Sequence, residues 1–107
     1  MPSNLLVSHY GNPPLGFDVP ASPAGIKIMD KDHPYKQITI TNASDEPIYL
    51  SLWSIPAGTT TAEVGKGIYL AVSGGAYEFN NINMCYNEIW ATHGGAGTKR
   101  LCVQPGR

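Results

Sequence analysis

Apolar and polar residues alternate with period two along most of the chain after residue 25. Ile26 and Ile28 flank Lys27. Across 35–41, Ile38 and Ile40 share one side while Gln37, Thr39 and Thr41 share the other. Ile48, Leu50 and Leu52 align across 48–53, and Ile68, Leu70 and Val72 align across 68–72. Shorter runs cover 76–79 and 88–92, and 98–104 closes the domain with Leu101 and Val103 inward. Successive side chains of a strand point to opposite faces, so each run predicts a strand buried on one side. Turn-forming clusters at 42–47, 54–67, 73–75 and 93–97 separate the runs. The glycine pairs at 74–75 and 94–95 predict tight hairpins, because glycine reaches positive φ without a Cβ clash. Residues 80–87 break the alternation and predict an irregular stretch with a bulge, and Lys99 is expected as an edge charge. Seven or so strands at roughly 8–12-residue spacing predict an all-β domain over 26–107, a small antiparallel β-sandwich of jelly-roll-like kind.

Residues 1–25 read differently. Proline stands at 2, 13, 14, 20 and 23 and glycine at 11, 16 and 25, and no apolar period of 2 or 3.6 runs through the segment. Proline fixes φ, removes a donor and pushes the preceding residue to extended backbone. An extended, Pro-rich N-terminal arm is expected here rather than a helix or a central strand. It carries Leu5, Leu6, Val7, Tyr10, Leu15, Phe17 and Val19, so it gains by lying on a surface. Two surfaces compete, the domain's own and that of a neighbouring subunit.

Composition narrows the function. The 107 residues include 12 Gly and 9 Pro, too many for a helical bundle, where each interior one costs about 1 to 3 kcal/mol. A net charge of −1 offers no electrostatic footprint for nucleic acid or an anionic membrane. No apolar run approaches the ~20 residues of a transmembrane helix, and residues 1–4 do not open a secretory signal. Charged residues are 14%, against about 25% in an average domain, which suits a protein that packs against other copies or a larger assembly.

Catalytic patterns are scarce. Asp30, Asp32 and His33 could ligate a metal through oxygen and imidazole, or form a solvated turn in which Asp bonds its own backbone. Glu78 and Glu88 fall on strands expected to be neighbours and make the best carboxylate pair for glycoside chemistry. The glycine loops at 73–75 and 93–97 lie between strands and lack the helix start that a phosphate cradle needs. Cys85 and Cys102 are too few for a stapled mini-fold, and their separation is open. Asn42-Ala43-Ser44 matches the glycosylation sequon, an accidental match for a chain without a secretory signal. No catalytic residue, metal or cofactor is expected, and the chain is read as non-enzymatic.

Aromatic residues give the stronger signal. Tyr49 and Trp53 fall opposite Ile48, Leu50 and Leu52, and Tyr69 falls opposite Ile68 and Leu70. If the aliphatic face fills the core, these rings lie outside. They are then covered by the arm, used in a subunit interface, or, with Trp90, offered to sugars as stacking platforms. The candidate interface is therefore Leu5, Leu6, Val7, Tyr10, Leu15, Phe17, Tyr49, Trp53 and Tyr69.

The stretch 38–103 resembles a family of small tailed-bacteriophage virion proteins. The likeness rests on Ile38-Thr39-Ile40-Thr41-Asn42 running through an Asn/Ser turn into Ile48-Tyr49-Leu50, and on Gly67-Ile68-Tyr69-Leu70 with its Gly-Gly turn into Tyr77-Glu78-Phe79. Glu88-Ile89-Trp90-Ala91 and a Gly-rich turn into Arg100-Leu101-Cys102-Val103 complete it. Ala71-Val72-Ser73 stands where the pattern usually holds a proline before the glycines. The resemblance implies a head decoration (cement) protein on the capsid surface, bound to the major capsid protein and homo-oligomeric, with a trimer favoured. A neck, connector or tail accessory position is the alternative within the virion, and a small carbohydrate-binding module the alternative from another class. The pattern is scaffold and carries over no functional residues.

Overall fold

The computed structural model describes residues 13–52 and 63–106. Among these residues the fold is all-β, with eight strands in two four-stranded antiparallel sheets. They are β1 (Leu15–Val19), β2 (Ile26–Met29), β3 (Gln37–Asn42), β4 (Ile48–Leu52), β5 (Ile68–Leu70), β6 (Ala76–Phe79), β7 (Ile89–His93) and β8 (Lys99–Gly106). The first sheet has the order β1-β8-β3-β6 and the second β2-β7-β4-β5. The antiparallel pairs β1·β8, β2·β7, β3·β6 and β4·β5 are those of one long two-stranded ribbon folded at the β4–β5 link. The ladders β3·β8 and β4·β7 roll that ribbon into two facing sheets. This is the eight-stranded jelly-roll arrangement.

The alternating residues meet between the sheets. Val19, Ile38, Ile40, Phe79, Leu101 and Val103 come from the first sheet and Ile28, Ile48, Leu50, Leu70, Ile89 and Ala91 from the second, all buried. Removing this surface from water, at roughly 25 cal/mol per Å² of apolar area, is the main force holding the sheets together. The inward and outward assignments of β3, β4 and β8 agree with the sequence reading.

Several expectations are corrected. Within the segment 1–25, Leu15–Val19 is a strand of the sandwich and residues 22–23 form a turn, so the domain starts before residue 26. Leu15, Phe17 and Val19 alternate with Gly16 and Asp18, and the prolines at 14 and 20 bound the strand rather than break it. The glycine turns at 73–75 and 93–97 are not hairpins: each carries the chain from the second sheet to the first. β5 ends at Leu70, and Val72 turns outward at 42% exposure. β8 lies between β1 and β3, so Lys99 guards no edge; it pairs with Asp45 at 2.9 Å. That contact holds the Asp45 carboxyl below the usual carboxylate range. The bulge lies in β2, between Lys27 and Met29, instead of in 80–87.

Asn42 ties the crossovers together. Its side chain is fully buried at the end of β3. Nδ2 donates to the carbonyls of Glu46 (2.8 Å) and Leu70 (3.1 Å), and Oδ1 accepts from the Ser44 amide (3.0 Å) and hydroxyl (2.7 Å). Its backbone exchanges bonds of 2.8 Å with Gly74 and Gly75. Gly74 sits at φ 113°, and a Cβ on Gly75 would strike the Ala71 backbone, so this turn fits only glycine. A glycan on Nδ2 would take the hydrogen of one donated bond and has no room at this fully buried side chain, so the sequon is structural in this fold.

Asn42→Ala should lower unfolding free energy by about 1–3 kcal/mol, because it strands the buried Leu70 carbonyl. Thr39→Ala, on the outer face of the same strand, should stay within about 0.5 kcal/mol. Urea titration of both variants checks the contrast.

Candidate functional site

The outer face of the second sheet carries the aromatic residues. Antiparallel register sets Tyr49 opposite Tyr69 on one side and Thr92 on the other. Ser51 lies opposite Trp90, which also faces Lys27. Directly opposed residues share a face, so Tyr69, Tyr49 and Trp90 form a diagonal across three strands. Tyr49 and Tyr69 meet edge to face, with centroids 5.5 Å apart and planes at 64°. Tyr69 is 56% exposed. Trp90 is half-buried, and its Nε1–H donates to Glu88 at 3.0 Å. The β2 side of this face is covered by the β1–β2 link: the buried Thr92 hydroxyl donates to Ala24 O at 2.6 Å. The tyrosine side is open among the described residues.

The outer face of the first sheet is different. Asp18, Arg100, Cys102, Gln104, Thr39, Thr41 and Glu78 lie on it, with Asp18 3.7 Å from Arg100 and Gln37 donating to Glu78 at 2.9 Å. Polar groups that satisfy one another give a solvated surface.

A second feature lies at the sandwich edge, where β1 and β2 approach. A cleft of about 490 Å³ opens between them, lined by Leu15, Phe17, Ile28, Met29, Pro34 and Tyr35 among others. Leu15 is 41% exposed and Phe17 half-buried. Lys27, Asp30, Lys31 and Asp32 also line it, two cations and two anions. Lys27 is bound to Asp30 at 2.8 Å, which raises the lysine above its usual range.

His33 forms one wall and is spoken for. Nε2 lies 2.7 Å from Cys85 O, and Nδ1 accepts from the Tyr35 amide at 3.2 Å. The carbonyl can only accept, so Nε2 carries the proton. The ring packs between Tyr35 (5.7 Å) and Tyr86 (5.3 Å). Neither nitrogen is left for a metal, and no group of three potential ligands occurs among the described residues. Within the Asp30–Asp32–His33 motif only His33 is buried, and both aspartates are exposed. His93 repeats the arrangement, with Nε2 2.7 Å from Gly97 O and Nδ1 accepting from Gly95 N at 3.1 Å.

Among the residues singled out in the sequence, Tyr49 and Tyr69 come together on one face, and Leu15 and Phe17 in the cleft. Phe17 is half-buried, with one side packed against the core and the other toward the cleft. Leu5, Leu6, Val7, Tyr10 and Trp53 lie outside the described residues. Glu78 and Glu88 are not neighbours: Glu78 is on the first sheet, and Glu88 precedes β7 of the second. The cleft itself was invisible in the sequence, because Met29, Pro34 and Tyr35 reach β1 only when the ribbon rolls.

Both cysteines are free thiols. Cys102 is exposed, while burial pushes the Cys85 thiol up and its Sγ contacts Asn87 O at 3.6 Å.

Two predictions follow from these environments. Alkylation at pH 8 should modify Cys102 at least about tenfold faster than Cys85, read by peptide mass spectrometry. His33→Ala should lower stability by about 1–3 kcal/mol, and zinc should leave the melting curve of the unaltered protein in place. No family model matches the chain, and no curated protein or solved structure matches it.

Proposed function

We propose that the chain is a non-enzymatic structural protein of a phage virion, a head decoration protein that binds and stabilises the shell. The observation carrying this reading is the open Tyr49–Tyr69 side of the second sheet. Tyrosine and tryptophan are favoured at interfaces, where a large ring gives apolar area and its polar tip still finds water. The polar outer face of the first sheet offers no comparable patch. On this reading the aromatic face meets the major capsid protein, and the polar face looks to solvent. The low charge, 14% of residues, is compatible with repeated packing on a shell.

The jelly-roll order supports the reading only as an architecture used by viral capsid and lectin domains alike, since a fold hosts many functions. Between those two, the aromatic geometry favours protein contact. Rings at 64° do not make one flat platform for a run of sugar rings. A neck or tail position differs from the head surface in copy number, hundreds of copies against a dozen or fewer.

The test uses virion shells stripped of this protein. The chain should rebind saturably, and Tyr49→Ser/Tyr69→Ser should weaken that binding at least roughly tenfold. The variant should keep the parent's β-sheet circular dichroism, since both rings lie on the outer face of the sheet. Equal binding by both proteins, or quenching of tryptophan fluorescence by a glycan in place of shell binding, would overturn the proposal.

A further inference from the structure

The core of the sandwich is left unfinished at one edge. β1 pairs with β8 on one side only, and among the described residues no strand bonds its other side. It is also a well-formed edge. β5 and β6, the edges at the other side of the sandwich, have three and four residues, and β2 is bulged, whereas β1 runs five residues in continuous register with β8. Short or bulged edges resist further pairing, and a regular one invites it.

The side chains at this edge agree. Leu15 and Phe17 lie opposite Val103 and Leu101, so they belong to the core-facing side of the sheet. They are nevertheless only partly covered, because the cleft of about 490 Å³ lies beside them. A strand added at the usual spacing of about 4.8 Å would place alternate side chains over that cleft. Ile28, Met29, Pro34 and Tyr35 would meet them from the other wall. The charged lining residues number two Lys and two Asp, so the cleft favours neither a cationic nor an anionic occupant.

The same chain contains a segment of matching chemistry. Residues 1–12 hold no Asp, Glu, Lys or Arg and include Leu5, Leu6, Val7 and Tyr10. In an extended segment Leu5 and Val7 fall on one face. Pro13 and Pro14 separate this segment from β1. Two consecutive prolines keep a tight return from being centred on positions 13 and 14, because the second disfavours helical backbone at the first. Twelve extended residues reach about 40 Å, enough to arrive at a neighbouring molecule.

We infer that residues 4–10 of one copy add as a strand to β1 of a second copy, with Leu5 and Val7 filling the cleft beside Leu15 and Phe17. Each copy gives a strand at one place and receives one at another. Such a head-to-tail contact makes a closed ring where the rotation between copies allows it, and the trimer favoured by the resemblance is the size to test. This deepens the reading of the chain as an assembly protein, and concerns the bond between copies rather than the bond to the shell.

The full-length chain tests it in solution. Sedimentation should give three times the chain mass of 11.5 kDa. In an equal mixture of isotope-labelled and unlabelled chains, filtered NOEs should join Leu5 and Val7 methyls of one copy to Leu15 and Phe17 of another. Val7→Asp and, separately, Leu15→Asp should each return the mass to one chain while keeping the β-sheet circular dichroism. A monomeric parent, or NOEs only within one chain, would overturn strand exchange, as would an oligomer that persists in both variants. Shell binding by a monomeric parent would sink the exchange alone. An exchanged trimer that ignores shells would sink the decoration reading alone.

Discussion

The fold depends on one buried amide. A ribbon rolled into two sheets must cross repeatedly between them, and each crossing exposes backbone groups that no ladder pairs. At the end of β3 those groups converge on Asn42, whose amide bonds Leu70 O on β5 of the opposite sheet and Glu46 O in the turn leading to β4. Ser44 and Gly74 complete the junction, and the Ala43 amide donates to Arg100 O at 3.1 Å on β8. A satisfied polar cluster in low dielectric rigidifies its surroundings, while a half-satisfied one is costly. Apolar burial drives the sheets together, but it is not directional. The Asn42 junction fixes which turn meets which.

Two histidines act in the same manner at smaller scale. His33 and His93 each accept the amide two residues ahead and donate to a carbonyl, the distant Cys85 O for His33 and Gly97 O of the same turn for His93, so each ring stands in for backbone pairing where the chain leaves regular structure. This use of the imidazole competes with ligation, since a nitrogen already hydrogen-bonded to the backbone offers no lone pair to a metal. With these side chains committed, the exposed apolar and aromatic groups of the described surface include Tyr69 on the second sheet and Leu15 beside the cleft. On the proposed reading both meet other protein.

The two features differ in how they arise. The aromatic face follows from strand alternation, since Tyr49 and Tyr69 are opposite in parity to the aliphatic residues beside them. The cleft follows from topology, since β1 and β2 are consecutive yet lie in different sheets, at edges that face one another. Leu15 and Phe17 are core residues by parity, left partly uncovered by position.

The strands from 26 onward, their inward faces apart from Val72, the all-β class and the outward tyrosines were determined by the sequence itself. Period two is local and needs no partner to be recognised. β1 was obscured because proline density around it outweighed the short alternation of Leu15, Phe17 and Val19. Glycine turns look alike whether they join neighbours in one sheet or cross to the other, so the hairpins expected at 73–75 and 93–97 became crossovers. For the same reason Glu78 and Glu88 were separated, Lys99 moved from an edge to the interior of a sheet, and the cleft appeared where no motif marked it. Sheet membership is set by long-range packing and by buried bonds such as those of Asn42, and only the tertiary structure decided it.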